Sequence, residues 1–260
     1  MAITTFYGIC LYCNKQVSKQ QVNRHMQKHL EDKLLTSKPG KSFLLKIETN
    51  PAWGRTPYFL SLWVDGNAAM NDIDIYLRKI WLECCGHMSA FTNKKLKTAR
   101  GSMWDFFEAE KLLQKGEIKE YENIMEETRG EIPKNRLTKD VLKKDMKIDY
   151  QYDFGSTTEL QITVAEEFPV KADKTIVLLT RNEPPEILCH TCGKAPAVTV
   201  CTACYGEESF FCAKCAKQHA KSCSDFNDYA AMPVVNSPRM GVCGYTGGAI
   251  DKERDGVFVK

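Results

Sequence analysis

The chain has 260 residues, 43% hydrophobic and 27% charged, the balance of folded globular domains rather than of a disordered or membrane-spanning chain. Its 36 basic and 33 acidic side chains leave a formal charge of only +3, which excludes a protein that coats nucleic acid or an anionic membrane by bulk charge alone. Twelve cysteines are an outlying count, and they are not scattered.

The first element carries Cys10, Cys13, His25 and His29 in the spacing C-x2-C-x11-H-x3-H. Zinc takes four soft or borderline ligands tetrahedrally, and a C-x2-C knuckle offers two thiolates from one tight turn. Histidines four apart share one face of a helix and meet that knuckle. Val17 and Val22 stand where a small module needs an apolar plug, and Ser18 is an N-cap for a helix running through Lys33. Residues 6–32 resemble a two-cysteine, two-histidine ββα zinc finger, expected to occupy residues 1–35 and to fold on binding metal. With a helix beginning near Lys19, Ser18, Gln21 and Arg24 take the positions that meet bases in finger–DNA complexes. Arg24 suits guanine and Gln21 adenine. Lys15, Lys19, Arg24 and Lys28 add positive charge, making DNA or RNA a candidate partner.

Thr36-Ser37-Lys38-Pro39-Gly40-Lys41 reads as a linker, and Glu183-Pro184-Pro185 as a second seam. Between them, residues 42–182 suffice for one domain with its own core. Strands are expected at 43–47 and 58–64 around a turn at 51–55, then a helix capped by Asn71 or Asp72, and a turn and strand at 86–92. Two amphipathic helices follow, starting at Ser102 and near Ile118 and stopping at Gly116 and Gly130; Thr138 caps a third, short one. Strands at 148–154, 160–165 and 175–179 complete an α+β domain with a mainly antiparallel sheet. Further basic runs lie at Lys94, Lys95, Lys97 and Arg100, and at Lys134, Arg136, Lys139, Lys143, Lys144 and Lys147.

In this domain FLLKIE, PAWGR, an amphipathic helix, GHMSAF and YQYDFGSTTELQI run in the order of the plasmid-Ri open-reading-frame-three-like family, also described as insertion-element passenger proteins. The chain resembles that family over about residues 42–182, most specifically at Tyr152-Asp153-Phe154-Gly155. The family continues with Asp-x-Trp-Glu-His, where this chain has Ser156, Thr157, Thr158, Glu159 and Leu160, so a polar site built on those groups is lost. The resemblance implies a fold and a mobile-element association, and brings no activity.

Eight more potential ligands fall within 35 residues: Cys189, Cys192, Cys201, Cys204, Cys212, Cys215, His219 and Cys223. Four ligand pairs in a row make two closed zinc sites over residues 186–224. In a cross-brace, Cys189, Cys192, Cys212 and Cys215 share one ion, and Cys201, Cys204, His219 and Cys223 the other; a sequential arrangement is the alternative. The order resembles MYND, HIT-type and B-box modules, which favours the cross-brace and implies a protein partner. The tail, residues 225–260, is expected to pack its apolar positions on the core as an extended strap.

About three zinc ions per chain are thus expected, and their thiolates bring the formal +3 to near neutrality. Cys84, Cys85, Cys243, His87 and His190 are left over. Cys85 with His87 has the look of a nucleophile and base, while Cys84 and Cys85 as small core residues beside Trp81, and Asp153 as a turn cap, are the blander expectation. Glu159 completes the catalytic candidates. Thiols in metal spacing, with no apolar leader or membrane-length run, point to a soluble cytoplasmic protein. The expected function is a zinc-binding, nucleic-acid-associated regulatory or mobile-element accessory protein. A protein–protein adaptor is the rival, and an enzyme using the central domain is the third class.

Overall fold

The computed structural model describes residues 6–50, 56–93, 103–121, 124, 130–204 and 209–255. The expected turn at 51–55, the basic run at 94–100 and most of the helix expected before Gly130 lie outside them. The described elements are β1 (Tyr7–Cys10), β2 (Gln16–Ser18), α1 (Val22–Lys33), β3 (Pro39–Thr49), β4 (Phe59–Asp65), α2 (Met70–Leu77), β5 (Ser89–Thr92) and α3 (Met103–Gln114). There follow β6 (Glu131–Ile132), α4 (Thr138–Val141), β7 (Lys147–Tyr152), β8 (Thr158–Val170) and β9 (Ile176–Asn182). The C-terminal part adds β10 (Thr199–Cys201), β11 (Phe210–Phe211), α5 (Ala213–His219), β12 (Ala231–Pro233) and α6 (Lys252–Asp255). The chain is α+β, and every strand pair among the described residues is antiparallel.

One nine-stranded sheet, in the order β2-β1-β9-β4-β3-β8-β7-β5-β6, forms the body. Its central strands are apolar on both faces because both faces are covered. Phe43, Leu45 and Ile47 of β3, with Leu60, Leu62 and Val64 of β4, face the side covered by α2, which contributes Met70, Ile73 and Leu77. Leu44, Phe59 and Trp63 point the other way and meet Val22, Met26 and Leu30 of α1. The N-terminal hairpin therefore does not stand apart. β1 extends the sheet through Gly8↔Asn182, Ile9↔Arg181 and Cys10↔Thr180, and α1 lies across the face it shares. The stretch expected as a linker is already strand at Pro39, which pairs with Val170.

Local details differ from expectation for identifiable reasons. α1 begins at Val22 rather than near Lys19, because Lys19–Gln21 form a turn in which the Gln21 N–H bonds the Ser18 carbonyl at 3.0 Å. Asp72 sits inside the first turn of α2, where its carboxylate accepts the Ala69 N–H at 2.8 Å; the next N–H groups find Arg136 and Lys134 carbonyls. Thr138 starts its helix but sends its hydroxyl to the Asp65 carbonyl at 2.7 Å instead of capping.

α2 ends in a wide π-type turn, Arg78–Leu82, whose carbonyls are offered to the tail. Ala249 N–H reaches Lys79 O at 2.6 Å and Ser237 Oγ reaches Trp81 O at 2.6 Å. Further along, the buried Arg181 guanidinium bonds the Asn236 carbonyl and holds Asp255 at 2.6 Å, while Asn182 and Asn236 exchange amide hydrogen bonds. Ile250 packs against the cluster under α2 and Val235 and Tyr245 are buried, whereas Val234 joins Ala197 and Val200 of the C-terminal part. The tail is a strap over the α+β domain, and β12 ties it to the second sheet, β11-β10-β12.

Candidate metal centres

Among the described residues four groups of cysteine and histidine bring their donor atoms within 4.8 Å of one another, so each can hold a metal ion. The first contains Cys10, Cys13, His25 and His29. β1 delivers Cys10 and α1 the two imidazoles. The knuckle closes by two backbone bonds, Asn14 N–H to Cys10 O at 2.8 Å and Cys10 N–H to Lys15 O at 2.9 Å, with Asn14 in the left-handed region at φ 56°. Zinc–sulfur bonds of about 2.3 Å and zinc–nitrogen bonds of about 2.0–2.1 Å give tetrahedral edges of about 3.8 Å (S–S), 3.5 Å (S–N) and 3.3 Å (N–N). Cys13 Sγ lies 3.4 Å from His25 Nε2, and the two histidine Nε2 atoms are 3.3 Å apart. The residues fit zinc. Burial first, then neighbouring His29, Lys15 and Lys28, lowers the pKa of His25 and favours the neutral, ligating imidazole.

The C-terminal groups alternate along the chain. Cys189 and Cys192 meet Cys212 and Cys215, whereas Cys201 and Cys204 meet His219 and Cys223. The knuckle at Cys189 shares the first bond of the finger knuckle, Gly193 N–H to Cys189 O at 2.8 Å, with Gly193 at φ 62°, and closes one residue later, Cys189 N–H to Ala195 O at 2.8 Å. β10 ends at Cys201; α5 follows Cys212 directly and carries Cys215 and His219 on successive turns. Cys204 Sγ is 3.5 Å from His219 Nε2, the sulfur–nitrogen edge of a zinc tetrahedron. Phe211 stacks on the His219 ring at 4.2 Å and Phe226 meets it edge-on at 5.1 Å, which fixes the imidazole plane. Among the described residues the apolar packing of this part falls into two small clusters, Cys201, Phe211, Ala216, Phe226 and Ala230 in one and Ala197, Val200, Met232 and Val234 in the other. Cores this small are typical of modules that fold on binding metal.

The fourth group, Cys84, Cys85, His87 and Cys243, is assembled from residues the spacing leaves over. Cys84 is half-buried and packs against the cluster that holds Trp81, as expected, whereas Cys85 is exposed and is not a core residue. His87 Nε2 lies 3.0 Å from Cys85 Sγ and 3.2 Å from Cys243 Sγ. Asp153 does cap its turn, accepting the Gly155 N–H at 3.0 Å, but its other oxygen takes the Arg239 guanidinium at 2.5 Å. That bond holds the Asp153 carboxyl down at about 2. Glu159 lies elsewhere, accepting from Gln151 and Asn50. Sequence inspection misses this group because adjacent cysteines and a lone cysteine form no knuckle. The remaining signal is that three cysteines stay unassigned in a chain whose other nine fall, with three histidines, into four-ligand sets.

The residues proposed to contact nucleic acid divide in two. Ser18 is buried, and Lys19 is engaged with Glu48 at 3.0 Å and the Thr56 carbonyl at 3.1 Å. Gln21, Arg24 and Lys28 are exposed on α1 and its leading turn, and with Lys15 they line a concavity of about 270 Å3. The later basic run borders a larger cleft of about 550 Å3, but Glu131, Asp140 and Asp145 line it too. There Lys134 is tied to Asp74 at 3.2 Å and Lys144 to Glu166 at 2.7 Å.

Among the described residues no helix is long and apolar enough to cross a membrane. No family model matches the chain, and no curated protein matches it. Among solved structures it is similar to a protein of unknown function, MM3350 from Methanosarcina mazei Go1, at 15% identity and a TM-score of 0.34, over 54% of this chain and 67% of that one.

Proposed function

We propose that the chain is a zinc-organised, non-enzymatic binding protein that engages nucleic acid through the exposed face of its N-terminal module. In this reading zinc occupies the finger group and the two interleaved C-terminal groups. The observation that carries the partner is the concavity lined by Lys15, Gln16, Val17, Gln21, Arg24, His25 and Lys28, which has three cationic side chains and no carboxylate among its lining. Three cations on one metal-tied scaffold suit successive phosphates. Because Ser18 is buried and Lys19 is held by Glu48, binding is led by the backbone rather than by bases, with Gln21 and Arg24 the remaining candidates for base edges. A mobile-element association rests on the resemblance of residues 42–182.

A gel shift at low salt with mixed duplex DNA and RNA tests it, comparing wild type with the triple variant Lys15→Glu, Arg24→Glu, Lys28→Glu. The expected result is retardation that the variant abolishes while keeping its zinc. Equal, poor binding by both proteins gives first place to the adaptor reading, which exposed Leu188 and Tyr229 on the C-terminal part support.

A further inference from the structure

We propose that Cys84, Cys85, His87 and Cys243 hold a fourth zinc ion, which fastens the C-terminal strap to the α+β domain. The donors come from two places far apart in sequence, the turn after α2 and the tail. Cys84 and Cys85 Sγ are 3.8 Å apart and Cys85 and Cys243 Sγ 3.7 Å, the sulfur–sulfur edge of a zinc tetrahedron. The imidazole contacts, at 3.0 and 3.2 Å, sit a few tenths of an ångström inside the sulfur–nitrogen edge.

The surroundings are built for such a site. The fully buried Arg239 directs one nitrogen at Cys84 Sγ, 3.6 Å away, and so offsets the net negative charge of three thiolates and one zinc. The carboxylate of Asp153 lies 3.5 Å from His87 Nε2 but is bound to Arg239 and the Gly155 N–H, leaving three sulfurs and one nitrogen as the donor set. Tyr152 meets the His87 ring edge-on at 5.8 Å. Cys243 itself adopts φ 49°, a left-handed conformation unusual for a side-chain-bearing residue, in a turn flanked by Gly241 and Gly244 that presents its sulfur to the other three. Four protein ligands close the tetrahedron, so the site is structural rather than catalytic. On binding, the three thiols release their protons and the imidazole binds as the neutral base.

This group differs from the other three in exposure. Each of those contains a cysteine that is at most 1% exposed, Cys10, Cys189 or Cys201, whereas Cys85 and Cys243 are both exposed. The fourth zinc therefore leaves first when a chelator is added.

The test uses the full chain, purified with a reductant and equilibrated with zinc alone. Elemental analysis should give one zinc fewer for the double variant Cys85→Ser, Cys243→Ser than for wild type. The difference, not the total, carries the result, so a vacancy at any other group does not blur it. In native wild type, thiol labelling followed by mass spectrometry should find Cys85 and Cys243 protected, then labelled before any other cysteine as chelator is added. This second measurement needs no variant and survives a double variant that fails to fold. Equal zinc content in the two proteins, prompt labelling of both cysteines in the zinc-equilibrated wild type, or a Cys85–Cys243 disulfide under these conditions overturns the proposal.

Discussion

Replacing Met26 by alanine removes a fully buried side chain from the layer between α1 and the sheet, where Leu44, Trp63, Phe168 and Leu179 share its cluster. No metal ligand is altered. Truncating a buried methionine to alanine costs about 2–5 kcal/mol, and more where the walls cannot collapse into the space. Here one wall is the hydrogen-bonded body of β3 and β4, so the upper half of that range is expected. With a urea dependence of about 3 kcal/mol per molar, the unfolding midpoint falls by about 1–2 M. Tryptophan fluorescence follows the loss, because Trp63 is buried in the same cluster. With zinc in the Cys10, Cys13, His25 and His29 group, as proposed, its release followed with a coloured chelator provides a second probe. The two transitions should coincide and move together, since β1 is hydrogen-bonded into the sheet through β9. A zinc-release transition that shifts while the tryptophan transition stays in place would refute this reasoning, for the finger would then be an independent module.

Arg181→Met leaves Asp255 buried without its ion pair and unpins Asn236; a cost of about 3–5 kcal/mol is expected, with early proteolytic release of the strap. For the interleaved C-terminal groups, the pair Cys189→Ser, Cys212→Ser should lose one zinc, whereas Cys189→Ser, Cys204→Ser should lose two; the reverse pattern would assign the sequential arrangement. Burial pushes the Glu48 carboxyl up, but Lys46 and Lys19 outweigh it and hold the pKa below the ordinary value. Its contribution to stability is then complete above the ordinary carboxylate pKa and is lost as pH falls through the lower folded value, so Glu48→Gln should flatten that part of the acid-denaturation curve.

What is legible in the sequence is what local chemistry dictates. The C-x2-C turns announce themselves because two thiolates on one ion require that spacing, and the carbonyl of the first cysteine accepts the N–H four residues on at both Cys10 and Cys189. β3, β4 and β8 follow from their β-branched and aromatic content, and the α+β class from the alternation of elements. What is hidden depends on distant pairing. Nothing near Cys10 says that its strand will add to β9, some 170 residues on, yet that pairing turns an expected free finger into an edge of the main sheet. The same docking buries Ser18 and ties Lys19 to Glu48, so one of the five expected nucleic-acid contacts is covered and a second is held in an ion pair. The fourth cysteine group is hidden for a similar reason: it exists only because Arg239 and Ser237 dock the tail against Asp153 and Trp81.

The salt dependence of nucleic-acid binding is the most direct measurement of the proposed function. Each phosphate contact on duplex DNA contributes about 0.9 to the slope of log affinity against log salt, so Lys15, Arg24 and Lys28 together account for about 2.7. Wild type should show a slope of at least that size. The triple charge-reversal variant should bind weakly with a slope near zero and an unchanged zinc content. Identical slopes for the two proteins, or binding that does not respond to salt, would contradict a phosphate-led interface on the finger.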